Sequence, residues 1–341
     1  MNKSALRLNI KNAICSFCVP AGIYLIMEII SRVVTGAGVI NNMADLKNLA
    51  RTFASLFCIA LALSCNLPAG RMDFSLGSQM ILAVIFGGNI ALSLGMGGIG
   101  TLVISIIFGV IAGFLVGVAF VKTRIIPMIL GMGMALIYEC ISFSAFGSKG
   151  LQTFGNSKLA VLSNVTFISI VVLLVTLVMG YLFLMSPFGY NRKAIQGNQR
   201  IAMNSGINIF SNCIICYTIA GGLVAIAGIF DTVFKGNLAP VLGMDSRATV
   251  MGNMFAVMLG MTMARFSNSV VGILMAVLSI KILTLGLSKL ALDNSVQTLV
   301  IYFLFLILMI YRMNESEIKA WKKKKLRIAE AKRIRAKMAE Q

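Results

Sequence analysis

The sequence predicts an all-α polytopic membrane protein with about ten transmembrane helices. Hydrophobic residues make up 58% of the 341 residues and charged residues only 12%, about half of the charged content of an average soluble domain. A transmembrane helix needs roughly 20 predominantly apolar residues. Apolar runs of this kind cover residues 14–34, 49–66, 76–94, 99–121, 125–146, 165–185, 213–230, 248–264, 269–288 and 295–312. We therefore expect one membrane domain over residues 1–312, with no soluble domain inserted.

The basic residues at the two ends of the chain predict that both termini are cytoplasmic. Lys3, Arg7 and Lys11 precede the first apolar run, and residues 312–341 carry eleven Lys or Arg against four Glu. Cytoplasmic segments next to transmembrane helices are enriched in Lys and Arg. An even number of spans, such as ten, places both ends on the same side of the membrane.

Residues 313–341 are predicted to form a basic, solvated tail helix. A juxtamembrane basic segment attracts anionic lipid at roughly 1 kcal/mol per Lys or Arg, so anionic lipid is the expected partner of this tail. An arm that binds another protein is the alternative. Because much of the formal charge of +19 lies next to the last apolar run, the charge does not indicate binding of nucleic acid.

A polar break separates the second and third apolar runs at residues 66–78. Pro68 and Gly70 end the second helix because both residue types break helices. Arg71 and Asp73 follow, and charged groups are costly in hydrocarbon, so this stretch must face protein or water. Irregular backbone at membrane depth is tolerated only where protein buries it or where it lines a cavity. We predict a broken-helix or re-entrant segment beside a solute path; a short polar turn at the cytoplasmic surface is the alternative.

The longest polar stretch of the membrane domain follows the sixth apolar run, and is called here the 186–210 loop. Pro187 and Gly189 are predicted to end the preceding span. Asn198 can cap a short helix over residues 199–204, and Gly206 can end it. Ile195, Ile201 and Ala202 would give this helix an apolar surface beside basic residues. A short amphipathic helix of this type lies on a membrane or docks into a soluble partner.

The 66–78 segment resembles a motif of the permeases of bacterial ABC importers for ribose, galactose and xylose. In that family the stretch after the second span reads G-G-(I/M)-D-L-S-(V/L)-G-S. Arg71 stands at the second glycine of the motif and Phe74 at the leucine. The matching residues are Gly70, Asp73, Ser75, Gly77 and Ser78.

The 186–210 loop resembles a second motif of the same family, F-G-R-x3-A-(I/V)-G-G-N-x2-A-A-x3-G-I. In the family this loop holds the coupling helix, which docks into a groove of the ATPase subunit. Tyr190, Gln196 and Ile201 depart from the motif. The matching residues are Phe188, Gly189, Ala194, Ile195, Gly197, Asn198, Ala202, Gly206 and Ile207.

The resemblance covers residues 50–312 and implies the permease subunit of an ABC importer in the bacterial inner membrane. It implies that a separate ATPase subunit uses the ATP and that an extracytoplasmic binding protein delivers a sugar or sugar-like solute. A second permease, either another copy or a paralogue, would complete the pathway, and this chain itself would bind no cofactor. Asp73, Ser75, Gly77 and Ser78 are the implied candidates for the translocation path.

The last third of the sequence departs from the family pattern. Where relatives carry L-G-G-x4-G-G-x-G, residues 259–268 lack most of the glycines, although Gly272 is retained. This leaves open whether the solute is a simple pentose or hexose or another solute, such as a nucleoside. It also leaves open whether the chain pairs with a second copy or with a paralogous permease.

No enzyme site can be assembled from the sequence. No G-x-x-x-x-G-K-[ST] phosphate loop occurs, so we expect no ATP binding by this chain. The chain has no His, which removes the commonest general base. Cys15 with Cys18 and Cys213 with Cys216 have C-x-x-C spacing, but both pairs lie in apolar runs. We therefore expect packing rather than a zinc or redox site.

Three ionisable residues fall inside apolar runs: Glu28, Glu139 and Lys281. Ionisable residues at such positions are functional candidates by default. Glu28 lies near the end of its run, so an interfacial position is expected. An ion pair between Glu139 and Lys281 is one interpretation. An ion-coupled secondary transporter, with Glu139 as its central acid, is the alternative function.

Overall fold

The computed structural model describes residues 3–264 and 267–315 and, beyond these, residues 317, 320, 321, 323–325 and 327. Most of the predicted tail over residues 313–341 lies outside the described residues. The described part is built almost entirely of α-helices. The predicted all-α fold is therefore confirmed.

Fourteen α-helices follow one another along the described chain. They are α1 (Lys3–Thr35), α2 (Met43–Asn66), α3 (Leu76–Ser93), α4 (Gly98–Thr123), α5 (Pro127–Ser144), α6 (Ala160–Ser163), α7 (Val165–Leu184), α8 (Pro187–Gly197), α9 (Gln199–Asn204), α10 (Ile209–Lys235), α11 (Ser246–Met251), α12 (Met254–Met263), α13 (Ser269–Lys289) and α14 (Asn294–Met313). Two short strands, β1 (Leu151–Gln152) and β2 (Asn237–Leu238), pair antiparallel.

Nine helices in the described part of the chain are long and apolar enough to cross a membrane: α1 to α5, α7, α10, α13 and α14. The run predicted as the eighth span, residues 248–264, instead forms the short helices α11 and α12. They are separated at Gly252 and Asn253. Asn253 has φ −100° and ψ 7°, and its side-chain amide donates to the carbonyl of Thr249 at 2.9 Å. Glycine is also a weak helix former, so the helix is interrupted here.

The centre of the bundle is formed by α2, α3, α4 and α10. Helices α4 and α10 approach each other where both carry glycine. A methyl group added at Gly109 would collide with the carbonyl oxygen of Gly221, and one at Gly113 with the carbonyl oxygen of Tyr217. Small residues allow membrane helices to pack at such close range. This contact places α10 against the middle of the bundle along most of its length.

Helices at the periphery expose apolar side chains along one face. On α7, Leu173, Leu177 and Tyr181 are each about 60% exposed, and their spacing of four residues puts them on one side of the helix. Exposed apolar faces of this kind mark contact with membrane or protein. They agree with the prediction that the bundle is surrounded by hydrocarbon.

The chain forms two compact units, Met1–Gly286 and Leu287–Gln341. In the second unit, Gln297 fixes the start of α14: it donates to the carbonyl of Leu292 at 2.8 Å and accepts from Ser288 at 3.2 Å. Helix α14 exposes Leu299, Phe303, Leu306 and Ile310. The sections that follow concern the first unit.

Candidate functional site

The 66–78 segment is a buried break between α2 and α3. Helix α2 ends at Asn66, one 3-10 turn follows over residues 67–69, and Gly70 adopts the left-handed conformation with φ 73°. The backbone is then irregular until α3 begins at Leu76. Arg71 and Asp73 are only 4% and 3% exposed. Protein therefore buries both charged side chains, as expected for a broken-helix segment; the alternative of a short polar turn at the cytoplasmic surface stays open, because burial does not place the segment relative to the membrane.

Asp73 organises the start of α3. Its Oδ1 accepts from the backbone N–H of Ser75 at 2.9 Å and from the Ser75 hydroxyl at 2.5 Å. Its Oδ2 accepts from the Gln79 amide at 3.4 Å, and the Ser78 hydroxyl donates to the Ser75 carbonyl at 2.8 Å. A carboxylate at a helix N-terminus is favourable because the unpaired amides there carry partial positive charge. Asp73, Ser75 and Ser78 therefore satisfy one another, whereas the amide of Asn66 and two guanidinium nitrogens of Arg71 are buried without a hydrogen-bond partner among the described residues.

Glycines bring two further helices against this segment. A methyl group at Gly77 would collide with the carbonyl oxygen of Ser246, the first residue of α11. One at Gly131 of α5 would lie 2.8 Å from the backbone nitrogen of Phe74 and 3.3 Å from Oδ1 of Asp73. Ser75 and Ser78 are fully buried. The four predicted path residues are thus placed together, at the contact of α3 with α5 and α11.

Glu139 links α5 to the start of α11. Its two carboxylate oxygens accept from the backbone N–H groups of Met244 at 2.8 Å and Ser246 at 3.0 Å. Glu139 is 1% exposed, so these backbone donors take the place of water around the carboxylate. Within the described residues Glu139 forms no ion pair with Lys281, which instead lines a separate cavity.

The 186–210 loop contains α8 and α9, and the predicted helix over residues 199–204 is confirmed as α9. Asn198 caps it, because its Oδ1 accepts from the N–H groups of Arg200 at 3.0 Å and Ile201 at 3.2 Å. Gly206, with φ 81°, follows the end of this helix. Left-handed backbone of this kind favours glycine and commonly ends a helix.

The sixth span ends just before Pro187 as predicted, but Pro187 and Gly189 also lie in the first turn of a new helix, which the sequence analysis did not foresee. Helix α7 already ends at Leu184, and Pro187 is the first residue of α8. Proline suits this position because its fixed φ is helical and its missing N–H would have no partner there. Ser186 caps α8 by accepting from the N–H of Gly189 at 3.2 Å.

Burial separates the apolar residues of the loop into two sets. Ile195 and Ala202 are each 2% exposed, whereas Ile201 is 64% and Met203 is 58% exposed. Ala202, predicted as part of a surface for a partner, therefore faces the bundle. The sequence analysis missed Met203 as an outward-facing apolar residue. No signal in the sequence distinguishes Met203, because neighbouring residues of a helix point about 100° apart and only the packing of α9 against the bundle shows which of them is covered.

Three contacts fix α8 to the bundle. Arg192 is 3% exposed and donates from Nη1 to the carbonyl of Ser64 at 2.8 Å; its guanidinium carbon lies 3.6 Å from the ring centre of Phe183. Burial lowers the pKa of Arg192 from its ordinary value, although an arginine stays protonated in proteins. The Asn212 amide donates to the carbonyl of Phe188 at 3.2 Å. These contacts hold α8 against the bundle.

An open cavity of about 560 Å³, lined by both apolar and polar residues, lies between α2, α10, α11 and α13. It is at the opposite end of the bundle from the 186–210 loop. Its charged and hydrogen-bonding lining residues are Arg51, Thr52, Ser55, Asp231, Lys235, Thr249, Asn253 and Lys281.

Comparisons with known proteins agree with this architecture. A family model described as branched-chain amino acid transport system / permease component matches residues 46–309. The ribose import permease protein RbsC of Bacillus subtilis (strain 168) is 28% identical over 274 residues, covering 75% of this chain and 80% of that protein. A solved ABC transporter of metal-chelate type, in an inward-facing conformation, covers 86% of this chain and 98% of its own, with a TM-score of 0.52 and 15% identity. At that identity the likeness concerns the fold alone.

Proposed function

We propose that the chain, which belongs to the family described as branched-chain amino acid transport system / permease component, is the permease subunit of an ABC importer and carries a sugar or sugar-like solute, as its similarity to a ribose import permease suggests. A permease subunit is a transport component and not itself an enzyme. It is a multi-pass membrane protein that works with an ATPase subunit and a solute-binding protein. The observation that carries the assignment is the family match over residues 46–309.

The proposal of a sugar-like solute rests on similarity to a ribose import permease over 75% of the chain. The hydroxyl and amide groups that line the 560 Å³ cavity support a hydrophilic solute. The alternative of an ion-coupled transporter relied on Glu139 as the acid that binds the coupling ion. Both carboxylate oxygens of Glu139 instead accept backbone hydrogen bonds, which argues against that role. A non-sugar solute such as a nucleoside remains the second candidate for the test below.

We place the ATPase contact on α9 and its flanks. Ile201 and Met203 expose apolar side chains at a polar loop, which suits insertion into a groove of a soluble subunit. The proposed coupling loop keeps the residues that the sequence indicated: Phe188, Gly189, Ala194, Gly197, Asn198, Ala202 and Gly206. Of these, Asn198 and Gly206 shape α9, while Phe188, Gly189 and Ala202 fix it to the bundle.

Movement of α9 would pass into the bundle through contacts that are already in place. Arg192 joins α8 to the carbonyl of Ser64, two residues before the end of α2. The 66–78 segment begins there, and Asp73 connects it to α3. Gly77 and Glu139 then bring α11 into the same group of contacts. In this proposal the contact of α3 with α5 and α11 changes between two packing arrangements. Asp73, Ser75, Gly77 and Ser78 lie at this contact and thereby shape the path.

The remaining assignments are also proposals. Both termini and the 186–210 loop are placed in the cytoplasm. Because the described residues contain nine helices of membrane-spanning length, this placement requires α11 and α12 to cross the membrane together as a tenth, interrupted span. Residues 313–341 are placed against anionic lipid of the inner leaflet rather than nucleic acid. The pathway is completed by a second copy of this chain or by a paralogous permease. ATP is used by the partner subunit, and the chain binds no cofactor of its own.

Uptake into proteoliposomes tests the function. The permease is reconstituted with the ATPase and the binding protein encoded beside its gene, and radiolabelled D-ribose, other monosaccharides and a nucleoside are supplied. We expect uptake of a sugar only when all three proteins and ATP are present. Uptake driven by a proton or sodium gradient without the ATPase would overturn the proposal. Uptake of the nucleoside but of no sugar would show that the solute is a nucleoside.

A further inference from the structure

The 560 Å³ cavity has a size and a position that suit a small solute. Ligand sites commonly enclose about 300–1,000 Å³. Arg51 lies near the start of α2, whereas Ser64, which contacts the 186–210 loop, lies roughly 20 Å further along the same helix. Asp231 and Lys235 lie near the end of α10, whose first residue directly follows that loop. The cavity is therefore on the opposite side of the bundle from the proposed ATPase contact.

The charges around this cavity do not balance. Three cations, Arg51, Lys235 and Lys281, face one carboxylate, that of Asp231. Asp231 is already paired with Lys235, its Oδ2 lying 2.7 Å from Nζ. Arg51 donates from Nε and Nη2 to the carbonyl of Ser163, at 3.2 and 2.8 Å, and a carbonyl carries no formal charge to offset the guanidinium. The cavity therefore has an excess of positive charge.

Lys281 is the least compensated of these cations. It lies within membrane helix α13, between the buried residues Ile280 and Ile282. Asp231 attracts it, but the carboxylate of Asp231 is shared with Lys235. Among the described residues, no ion pair or hydrogen bond of the Lys281 ammonium is found. A cation held inside a membrane helix without its own counter-ion is costly and points to a functional partner.

Uncharged groups in the same cavity suit the remainder of a hydroxylated solute. Thr249 lines the cavity, and Asn253 donates its amide nitrogen to the backbone carbonyl of Thr249 in α11, which leaves its side-chain oxygen to accept. Phe234 adds an aromatic wall that is 47% exposed. A neutral sugar would satisfy these groups but would leave the positive charge uncompensated.

We propose that this cavity binds an anionic solute, a small hydroxylated molecule that carries a carboxylate or a phosphate, with Lys281 and Arg51 holding the anionic group. The inference rests on the proposed function, since it names the class of sugar-like solute that this importer carries. Sugar acids and sugar phosphates have this chemistry. Lys281 would act as a point charge on the anion, whereas Arg51 would offer the donor atoms that its bond to Ser163 leaves unused.

A binding measurement on the purified permease tests this site without requiring transport. The thermal unfolding temperature is measured with D-gluconate, D-ribose 5-phosphate and D-ribose, at equal ionic strength set with sodium chloride. We expect one of the two anions to raise this temperature and D-ribose to leave it unchanged. The anion that acts decides between carboxylate and phosphate. No effect of either anion, or an equal effect of D-ribose, would overturn the proposal.

Variants of Lys281 then locate the site. Lys281→Met removes the charge with an unbranched side chain one atom shorter, and is expected to weaken anion binding about tenfold or more, since losing one partner of a close charge pair typically costs at least that much. Lys281→Arg should retain binding. Lys158→Met, which removes an exposed lysine outside the cavity, is the matched control. Unchanged anion binding by Lys281→Met would show that the anion binds elsewhere and would overturn the proposal.

The transport assay separates this proposal from the proposed function. Anion binding by the permease without ATP-dependent uptake in the complete importer would contradict the function and leave the cavity assignment in place. ATP-dependent uptake of D-ribose, combined with no anion binding, would contradict the cavity assignment alone. Equal loss of uptake for every solute in Lys281→Met, with anion binding intact, would also reject the site.

Discussion

Arg192 of α8 donates a hydrogen bond to the carbonyl oxygen of Ser64 in the last turn of α2, at 2.8 Å. The two residues are 128 positions apart in the sequence, and the contact is buried. It joins the 186–210 loop, the proposed ATPase contact, to the helix that leads into the 66–78 segment. A carbonyl in the last turn of a helix lacks a helical partner, so Arg192 also completes the end of α2.

Replacing Arg192 should uncouple the loop from the bundle. In Arg192→Ala the Ser64 carbonyl loses a charged donor, which costs about 1–3 kcal/mol. We expect ATP-dependent uptake to fall strongly while the ATPase still binds the permease. Lys193→Ala, at the exposed neighbouring position, is the control and should transport normally. Normal uptake by Arg192→Ala, at matched membrane levels, would contradict the coupling role of this contact.

The surface of α9 gives a second prediction, in which neighbouring residues behave differently. Ile201→Asp places a charge on an apolar side chain that is 64% exposed, so the permease should fold normally but lose its ATPase. Co-purification of the two subunits measures this, and Ile201→Val should bind as the wild type does. Retained ATPase binding by Ile201→Asp would show that this face is not the contact.

Ala202→Arg should instead destabilise the permease itself. Ala202 is 2% exposed, so the added side chain has to displace packed atoms or leave a charge buried. Overpacking a core typically costs about 1–3 kcal/mol, and the buried charge adds to that. Thermal unfolding in detergent measures the effect. An unfolding temperature equal to that of the wild type would mean that residue 202 faces outward.

Asp73 is predicted to act through structure rather than through contact with solute. Asp73→Leu removes the acceptor for the amide and hydroxyl of Ser75 and for Gln79, at about 1–3 kcal/mol. Asp73→Asn keeps an oxygen that can accept and should retain more activity. Uptake and thermal unfolding are measured together on both variants. Transport by Asp73→Leu at the wild-type level would reject this role.

The sequence predicted the parts of this structure that local chemistry determines. The Asn198 cap and Gly206 define α9 to the residue, because capping and left-handed backbone depend on neighbouring residues alone. The division of the run over residues 248–264 could not be predicted from hydropathy, since Gly252 and Asn253 are compatible with a continuous span. The inward orientation of Ala202 likewise depends on how the loop packs against the bundle.

Contacts between residues far apart in the sequence could not be predicted either, because they too depend on how the helices pack. Glu139 was read as a candidate partner of Lys281, yet it binds backbone amides of Met244 and Ser246. Every residue except proline has a backbone N–H group, so the residue types in a sequence cannot indicate which of these groups binds a given carboxylate. The cavity that Lys281 lines is formed by α2 together with α10, α11 and α13, and only the fold brings α2 to the other three.

Two glycines of α5 provide the last prediction, because they share a helix but differ in surroundings. A methyl group at Gly131 would lie 2.8 Å from the backbone nitrogen of Phe74, whereas at Gly133 no atom lies within 4 Å. Gly131→Ala must push α5 away from the 66–78 segment, at about 1–3 kcal/mol. Gly133→Ala should be neutral or stabilising by up to about 1 kcal/mol, since alanine is the better helix former.

Uptake in proteoliposomes and thermal unfolding in detergent should separate the two variants. We expect Gly131→Ala to lower both the unfolding temperature and ATP-dependent uptake, because Asp73 Oδ1 lies 3.3 Å from the added methyl group. Gly133→Ala has the same change in helix propensity without the clash, so any difference between the variants reports the contact with the segment. Equal behaviour of the two variants would mean that α5 does not pack against the 66–78 segment. That result would contradict the proposed role of the contact of α3 with α5 and α11.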